Sequence, residues 1–180
     1  MNDFKIHFQL QDLDKVSLFG THPQKSIHWF GLTDGLLWID ICEQTIYEYT
    51  DEACSYFHNP VKYNDYQLSR FMEDFSATFL SVAVSIPEEL YDHVEEFEMQ
   101  TDDWKESHIN EEDHAFTIFY DKEYCELMQW YFDRCFDSGH LVGGPYIGCF
   151  RFDDRIKVMW KSDCKLENGI CIWTSNGGCV

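Results

Sequence analysis

Residues 28–39 read His28-Trp29-Phe30-Gly31-Leu32-Thr33-Asp34-Gly35-Leu36-Leu37-Trp38-Ile39, which joins a dense aromatic group to a turn and an apolar strand. Thr33-Asp34-Gly35 has turn chemistry, because Asp bonds to its own backbone and Gly tolerates a positive φ. From Leu36 to Ile41 only Asp40 interrupts the apolar residues. Such a run is typical of a strand buried on both faces. The stretch therefore predicts a turn that leads into a core strand.

The same stretch also allows a functional interpretation. His28, Trp29, Thr33 and Asp34 would then form the rim of a pocket for a small ligand or a substrate. In an enzyme, His28 would act as the base, Asp34 would orient it, and Thr33 would supply a hydrogen bond. A His and an Asp six residues apart can meet across a turn, but they can equally cap it. We therefore assign no catalytic residue from the sequence.

Strand patterns surround this stretch on both sides. Residues Phe4–Leu10 alternate apolar and polar, which predicts a strand whose apolar side chains face the core. Residues 44–49 alternate again and predict a hairpin with the preceding strand across Cys42-Glu43. Near the C-terminus, residues 146–152 and 156–161 flank Asp153-Asp154 and predict a second hairpin. A final strand is expected over residues 169–174.

The middle of the chain has helical periodicity. Apolar residues at i, i+3 and i+4 predict a helix from an Asn64 N-cap to about Val84. Pro87 is suited to the first turn of a second helix, and residues 121–137 predict a third. Strands, then helices, then strands again predict an α+β fold with a largely antiparallel sheet and about three helices packed on it. No linker divides the chain, so residues 1–180 are expected to form a single domain.

Composition restricts the classes of partner. The chain has 180 residues, of which 44% are hydrophobic and 17% aromatic, as expected for a folded domain. Thirteen basic and 33 acidic residues give a net charge of -20. That charge would repel nucleic acid and anionic membrane, whereas it permits a basic protein partner. No apolar run reaches the roughly 18–20 residues of a membrane span, and no secretory signal is evident, which predicts a cytoplasmic location. Eight cysteines without a C-x-x-C pair are expected to be mostly buried, reduced thiols.

Acidic residues concentrate in residues 88–114, the compositional outlier of the chain. Twelve acids and one base, Lys105, give this acidic segment a local charge of -11. A charge run of this kind is usually a solvated face or a loop, so we expect the segment to be the least regular part of the domain. The functional alternative is a surface for a basic protein, with Trp104 as an interface anchor. The candidate partner-binding residues are Glu95, Glu96, Glu98, Asp102, Asp103, Trp104, Glu106, Glu111, Glu112 and Asp113.

The sequence has no clear signature of a metal or cofactor site. The densest group of potential ligands contains His108, His114 and the acids between them, but no H-E-x-x-H pattern accompanies it. The glycine-rich connector Leu141-Val142-Gly143-Gly144-Pro145 lacks the spacing of a phosphate-binding loop. We therefore predict no metal and no cofactor.

Four separated motifs resemble those of a bacterial domain family of unknown function. The first three are residues 28–35, the helical region around residues 66–75, and the glycine-proline connector at residues 141–145. The fourth is Gly169-Ile170-Cys171-Ile172-Trp173-Thr174, and all four keep the family's order. A hairpin ending in Ile156-Lys157-Val158-Met159-Trp160 also fits the family pattern. The resemblance covers nearly the whole chain except the acidic segment, and it implies no catalytic residues.

Two functions follow from these patterns. A small, acidic, aromatic-rich chain without a catalytic signature suggests an immunity protein that neutralises a basic toxin, such as a nuclease domain, because charge complementarity speeds association. The alternative is a small-ligand binder or enzyme that uses the turn from His28 to Asp34.

Overall fold

The computed structural model describes residues 4–59, 61–108, 114–136, 144–161, 165–166, 168–175 and 177–179. It confirms the α+β class, with antiparallel strands and helices. The strands are β1 (Phe4–Leu10), β2 (Asp34–Ile41), β3 (Gln44–Ile46), β4 (Asn64–Gln67), β5 (Cys135–Phe136), β6 (Tyr146–Phe152), β7 (Arg155–Lys161) and β8 (Gly177–Cys179). The α-helices are α1 (Asp51–Tyr56), α2 (Leu68–Val82), α3 (Glu88–His93), α4 (Phe97–His108) and α5 (His114–Phe132).

Contacts between residues divide the chain into two compact units. The first lies within Met1–Ser76, Asp137–Tyr146 and Trp160–Cys179, and the second within Ala77–Phe136 and Ile147–Met159. The strands form two four-stranded sheets, where the sequence suggested one. Among the described residues, no helix is long and apolar enough to cross a membrane.

Strand β2 is the centre of the first sheet. It pairs antiparallel with β1, β3 and β4. Leu37, Ile39 and Ile41 are at most 5% exposed on one face, whereas the alternate residues are only partly buried. The expectation of burial on both faces is therefore wrong. On the half-exposed face, Trp38 stacks between His7, with ring centroids 4.9 Å apart, and Tyr63, at 4.1 Å.

Gly35 explains why the turn motif ends in glycine. A Cβ atom at this position would lie 2.1 Å from the carbonyl oxygen of Gln9 and 2.8 Å from the Cα of Leu10. Its φ is not in the left-handed region, so glycine is needed here because β1 approaches closely, not because the turn requires a positive φ. The turn itself is a 3-10 helix over Gly31–Thr33.

Strand β1 differs from its expected burial. The register places Phe4 opposite Ile41 and Ile6 opposite Ile39, so the apolar side chains of β1 do share the face of the core residues. Phe4, Ile6 and Leu10 nevertheless remain 44%, 40% and 53% exposed. The expected face is therefore right, but the expected burial is wrong, because burial on this face ends at β2.

The predicted β2–β3 hairpin is present. Cys42 and Glu43 have φ angles of 49° and 64° at its two-residue turn, as in a type I′ hairpin. Cys42 is disulfide-bonded, whereas Cys125, Cys149 and three further described cysteines are free. These five free cysteines agree with the expected reduced state, but only Cys149 of them is buried, so the expected burial is wrong for this part of the chain.

Helix α2 begins later than its sequence suggests. Asn64 is 2% exposed and belongs to β4, where it pairs with Leu37 and accepts a 3.3 Å hydrogen bond from the Tyr49 hydroxyl. It is therefore not the N-cap of α2. Sheet pairing at residues 64–67 takes precedence over local helical propensity.

The second unit has an aromatic core. Ile86, Tyr91, Val94 and Phe150 form a buried cluster, with Trp130, Tyr131, Phe152 and Met159 packed against it. The predicted β6–β7 hairpin is present, with Asp153 at a φ of 52° in its turn. Strand β6 pairs with β5 through Ile147 and Gly148. The final strand expected over residues 169–174 is wrong, because the described residues there form only isolated bridges.

Candidate functional site

The acidic segment is mostly helical over residues 88–108, in contrast to the irregular structure expected of it. Helix α3, a 3-10 turn over Val94–Glu96 and helix α4 follow one another. Glu88 and Glu89 occupy the first turn of α3, where the helix dipole favours negative charge. Tyr91 and Val94 are at most 2% exposed, so they anchor the inner side of these helices in the aromatic core. Burial of that inner side makes the acidic segment regular.

Two acids of this segment have basic partners within the second unit. The Lys157 ammonium donates a 2.9 Å hydrogen bond to the Glu95 carboxylate and a 2.8 Å hydrogen bond to the Tyr91 carbonyl oxygen. The bond from Lys157 holds the pKa of Glu95 below its ordinary value. Arg155 lies 4.0 Å from Glu88. The carboxylates of Glu88 and Glu95 are therefore engaged in contacts that stabilise the fold.

A third acid is engaged where α4 meets α5. The hydroxyl of Tyr124 donates a hydrogen bond to Asp102, which raises the pKa of Tyr124 to about 12. Lys105 Nζ lies 4.3 Å from the centre of the Tyr124 ring. Phe97 stacks on Tyr131 with ring centroids 5.3 Å apart. Aromatic stacking and this polar cluster therefore hold α4 against α5.

Trp104 does not have the exposed position expected of an interface anchor, because it is partly buried. Helical periodicity explains why. Trp104 lies three residues after Thr101, which is 7% exposed, and the two residues share one side of α4. Thr101 donates a 2.7 Å hydrogen bond to the Phe97 carbonyl oxygen on that same side. The large apolar side chain that α4 does present to solvent is Met99, at 60% exposure.

The outward face of α4 combines Met99 with acids. Met99, Asp103 and Glu106 recur at three- and four-residue spacing, which places them on one stripe of α4, and Glu96 lies three residues before Met99 at the end of the 3-10 turn. Glu96 accepts a 2.8 Å hydrogen bond from Gln100. Within the described part of the chain, Asp103, Glu106 and the neighbouring Glu98 form no ion pair, and all three are exposed. We call Glu96, Met99, Asp103 and Glu106 the acidic face.

Part of the predicted surface lies outside the described residues. Glu111, Glu112 and Asp113 belong to the undescribed residues 109–113. The side chains of His108 and His114 are likewise not described. The possible metal ligands around them therefore remain a sequence-based hypothesis.

The alternative site, at the turn from His28 to Asp34, does not have the geometry of a catalytic His–Asp pair. The Nδ1 atom of His28 accepts a 3.3 Å hydrogen bond from the Phe30 amide, and the two rings stack 5.5 Å apart. Asp34 is the first residue of β2, and its backbone joins Gln11 and Gln67. No hydrogen bond or ion pair links His28 to Asp34 in the described structure.

Thr33 has a structural role in the same turn. Its Oγ1 donates a 2.7 Å hydrogen bond to the Phe30 carbonyl oxygen and lies 2.8 Å from the Ser69 hydroxyl at the start of α2. It thereby ties the turn to the helix. Trp29, by contrast, is 54% exposed and packs against Phe30 at 3.9 Å between ring centroids. His28 and Trp29 therefore belong to an exposed aromatic group, whereas Thr33 and Asp34 are partly buried in the turn that leads into β2.

Comparison with known proteins identifies a family to which no function is assigned. A family model described as a family of unknown function (DUF5984) matches residues 5–180. No curated protein and no solved structure matches the chain.

Proposed function

The chain belongs to the family of unknown function DUF5984, and we propose that it is a cytoplasmic immunity protein that binds and neutralises a basic toxin domain through its acidic helices. The observation that carries this proposal is the acidic face. Its Asp103 and Glu106 are exposed, as is the adjacent Glu98, and no described cation neutralises these three carboxylates. Carboxylates of this kind are available to the Lys and Arg side chains of a partner.

Rigidity of the acidic face supports the proposal. Phe97 and Tyr131 fix α4 to α5, and Tyr91 fixes α3 to the aromatic core. A helix held in this way presents its carboxylates without a large ordering cost on binding. Exposed Met99 in the same stripe supplies an apolar contact that a partner can exclude from water. Met is a flexible side chain that adapts to irregular partner surfaces.

A charge-reversal experiment tests the proposal. The toxin candidate is the basic protein or domain encoded next to this chain, purified separately and titrated by calorimetry. We expect tight binding that weakens steeply from low to high salt, because screening removes the electrostatic attraction. The variant Asp103→Lys/Glu106→Lys should weaken binding at least about tenfold, since it introduces like charges opposite the partner.

The matched control is Glu52→Lys/Glu73→Lys, which makes the same charge change at exposed positions on α1 and α2. It should bind nearly as well as the wild type. Loss of binding in both variants would indicate a net-charge effect without a specific surface. Absence of binding in the wild type, or failure of the chain to protect cells from the neighbouring protein, would contradict the proposal.

The alternative function, a small-ligand site at the His28–Asp34 turn, has less support. His28 and Asp34 have separate hydrogen-bonding partners, and Thr33 is used to fix α2. A His28→Ala/Asp34→Ala variant that lost a measurable activity while keeping its stability would revive it.

A further inference from the structure

Strand β1 is an open edge of the first sheet. In the described residues its one partner strand is β2, and β3 and β4 lie on the opposite side of β2. It is seven residues long and contains neither proline nor an acidic residue. Natural proteins usually protect such an edge with proline, charge or a covering segment, since an unprotected edge recruits another strand. Lys5 is the single permanently charged residue of β1.

The register shows which backbone groups of β1 point outward. Gln11 N donates to Asp34 O at 2.8 Å, which continues the β1–β2 register and makes 11–34 a hydrogen-bonded pair. Hydrogen-bonded pairs alternate with non-bonded pairs in an antiparallel ladder. The backbone groups of residues 5, 7 and 9 therefore point to β2. Those of Phe4, Ile6, Phe8 and Leu10 point to the open edge.

We propose that β1 pairs antiparallel with β1 of a second copy of this chain, around a two-fold axis at His7. In this register Phe4 lies opposite Leu10 of the second copy, and Ile6 lies opposite Phe8. All of these residues have outward backbone groups, so the four pairs form about eight main-chain hydrogen bonds. A register shifted by one residue would place outward groups opposite inward groups and lose the ladder.

The side chains of β1 also favour a second copy of the chain as the partner of this edge. The apolar residues of β1 fall on one face of the joined sheet, where Phe4, Ile6 and Leu10 of each copy gain apolar neighbours in place of water. On the other face, Lys5 lies opposite Gln9, so the pairing places no like-charged Lys or acid pair together. Self-complementarity of this kind is a property of an isologous interface.

Charge distribution explains why a chain of net charge -20 would associate through this edge. Residues 4–33 contain three Lys (Lys5, Lys15 and Lys25) and two acids (Asp12 and Asp14), for a local charge of 3 − 2 = +1. The remainder of the chain therefore carries -20 − 1 = -21. The segment that contains β1 therefore brings no net negative charge of its own to the pairing, where like charges would oppose association.

Analytical ultracentrifugation of the full chain across a concentration series tests the pairing. We expect a wild-type mass of 2 × 21.4 = 42.8 kDa. Ile6→Pro removes an outward N–H while the donors to β2 remain, so it should sediment as a monomer. Ile6→Lys, which places a charge in the apolar face of the pair, should do the same. Leu13→Lys is the control, because Leu13 is 69% exposed but lies outside β1.

Hydrogen exchange adds a readout of the register. The amides of Phe4, Phe8 and Leu10 should be protected in the wild type and should exchange rapidly in Ile6→Lys. High salt should strengthen the dimer, because it screens the repulsion between two acidic chains. That sign is opposite to the one expected for binding a basic partner.

Three outcomes would overturn the pairing: a wild-type monomer at every concentration, a dimer that persists in Ile6→Lys, or dissociation of Leu13→Lys to the same extent as Ile6→Lys. If Ile6→Pro fails to fold by circular dichroism, the folded Ile6→Lys variant decides the question.

Discussion

The substitution Gly35→Ala offers a direct test of how the turn motif determines the first sheet. A Cβ atom at residue 35 would lie 2.1 Å from Gln9 O, which is far inside the contact distance of two unbonded heavy atoms. The neighbouring Leu10 Cα would lie 2.8 Å away. Both contacts are to backbone, so no side-chain rotation relieves them. The strands must separate locally, and the β1–β2 pairing at Leu10 and Gln9 is lost.

The expected cost combines overpacking with the lost pairing. Overpacking in a packed region costs about 1–3 kcal/mol, and each lost main-chain hydrogen bond adds about 1 kcal/mol. We therefore expect Gly35→Ala to lower the free energy of unfolding by about 3 kcal/mol. Gly31→Ala is the matched control within the same motif. Its Cβ would meet Val16 Cγ1 at 3.4 Å and Asp34 Oδ2 at 3.8 Å, so its change should lie within about 1 kcal/mol of zero.

Urea denaturation followed by far-ultraviolet circular dichroism measures both variants under the same conditions. The slope of the transition should stay similar, so that the shift of its midpoint reports stability. A Gly35→Ala variant within about 0.5 kcal/mol of the wild type would refute the close approach of β1. Equal destabilisation by Gly31→Ala would show that the turn conformation, and not the strand approach, requires glycine.

Three further predictions concern ionisable groups of the second unit. Asp102→Asn should lower the pKa of Tyr124 from about 12 toward its ordinary value, measured by ultraviolet phenolate absorbance against a Tyr124→Phe reference. The stability that this hydrogen bond contributes is present below the pKa of Tyr124 in the unfolded chain and is lost as the pH rises through its pKa in the folded chain. Lys157→Met should reduce stability by about 1–3 kcal/mol at neutral pH, since it removes two hydrogen bonds from a charged donor. Lys157 lowers the pKa of Glu95, so the stability from the Lys157–Glu95 hydrogen bond is present above the pKa of Glu95 in the unfolded chain and is lost as the pH falls through its pKa in the folded chain. Urea denaturation at neutral and acidic pH measures this loss. Burial raises the pKa of Cys149 to about 12, so mass spectrometry should find its alkylation only after denaturation, unlike that of the exposed free cysteines.

Local sequence determined the features that depend on neighbours along the chain. The two-residue turn at Cys42-Glu43 followed from its position between an apolar run and an alternating run, and positive φ angles confirm it. Pro87 placed the start of the acidic helices, and the Pro87 carbonyl oxygen accepts hydrogen bonds from the Leu90 and Tyr91 amides. Period-two alternation assigned the residues of β1 to two faces, because that pattern is a property of the backbone alone.

Only the tertiary structure decided which of those faces is covered and which acids are free. The sequence could not show that burial ends at β2 and leaves Ile6 40% exposed, since that depends on what packs over the sheet. Glu95 and Lys157 are 62 residues apart, so their hydrogen bond has no local signal. Asn64 has the propensity of a helix cap but pairs with β2, because a backbone ladder with a distant strand outweighs a local preference. Composition established that residues 88–114 are acidic, whereas the three-dimensional packing separates the carboxylates that hold the fold from those available to a partner.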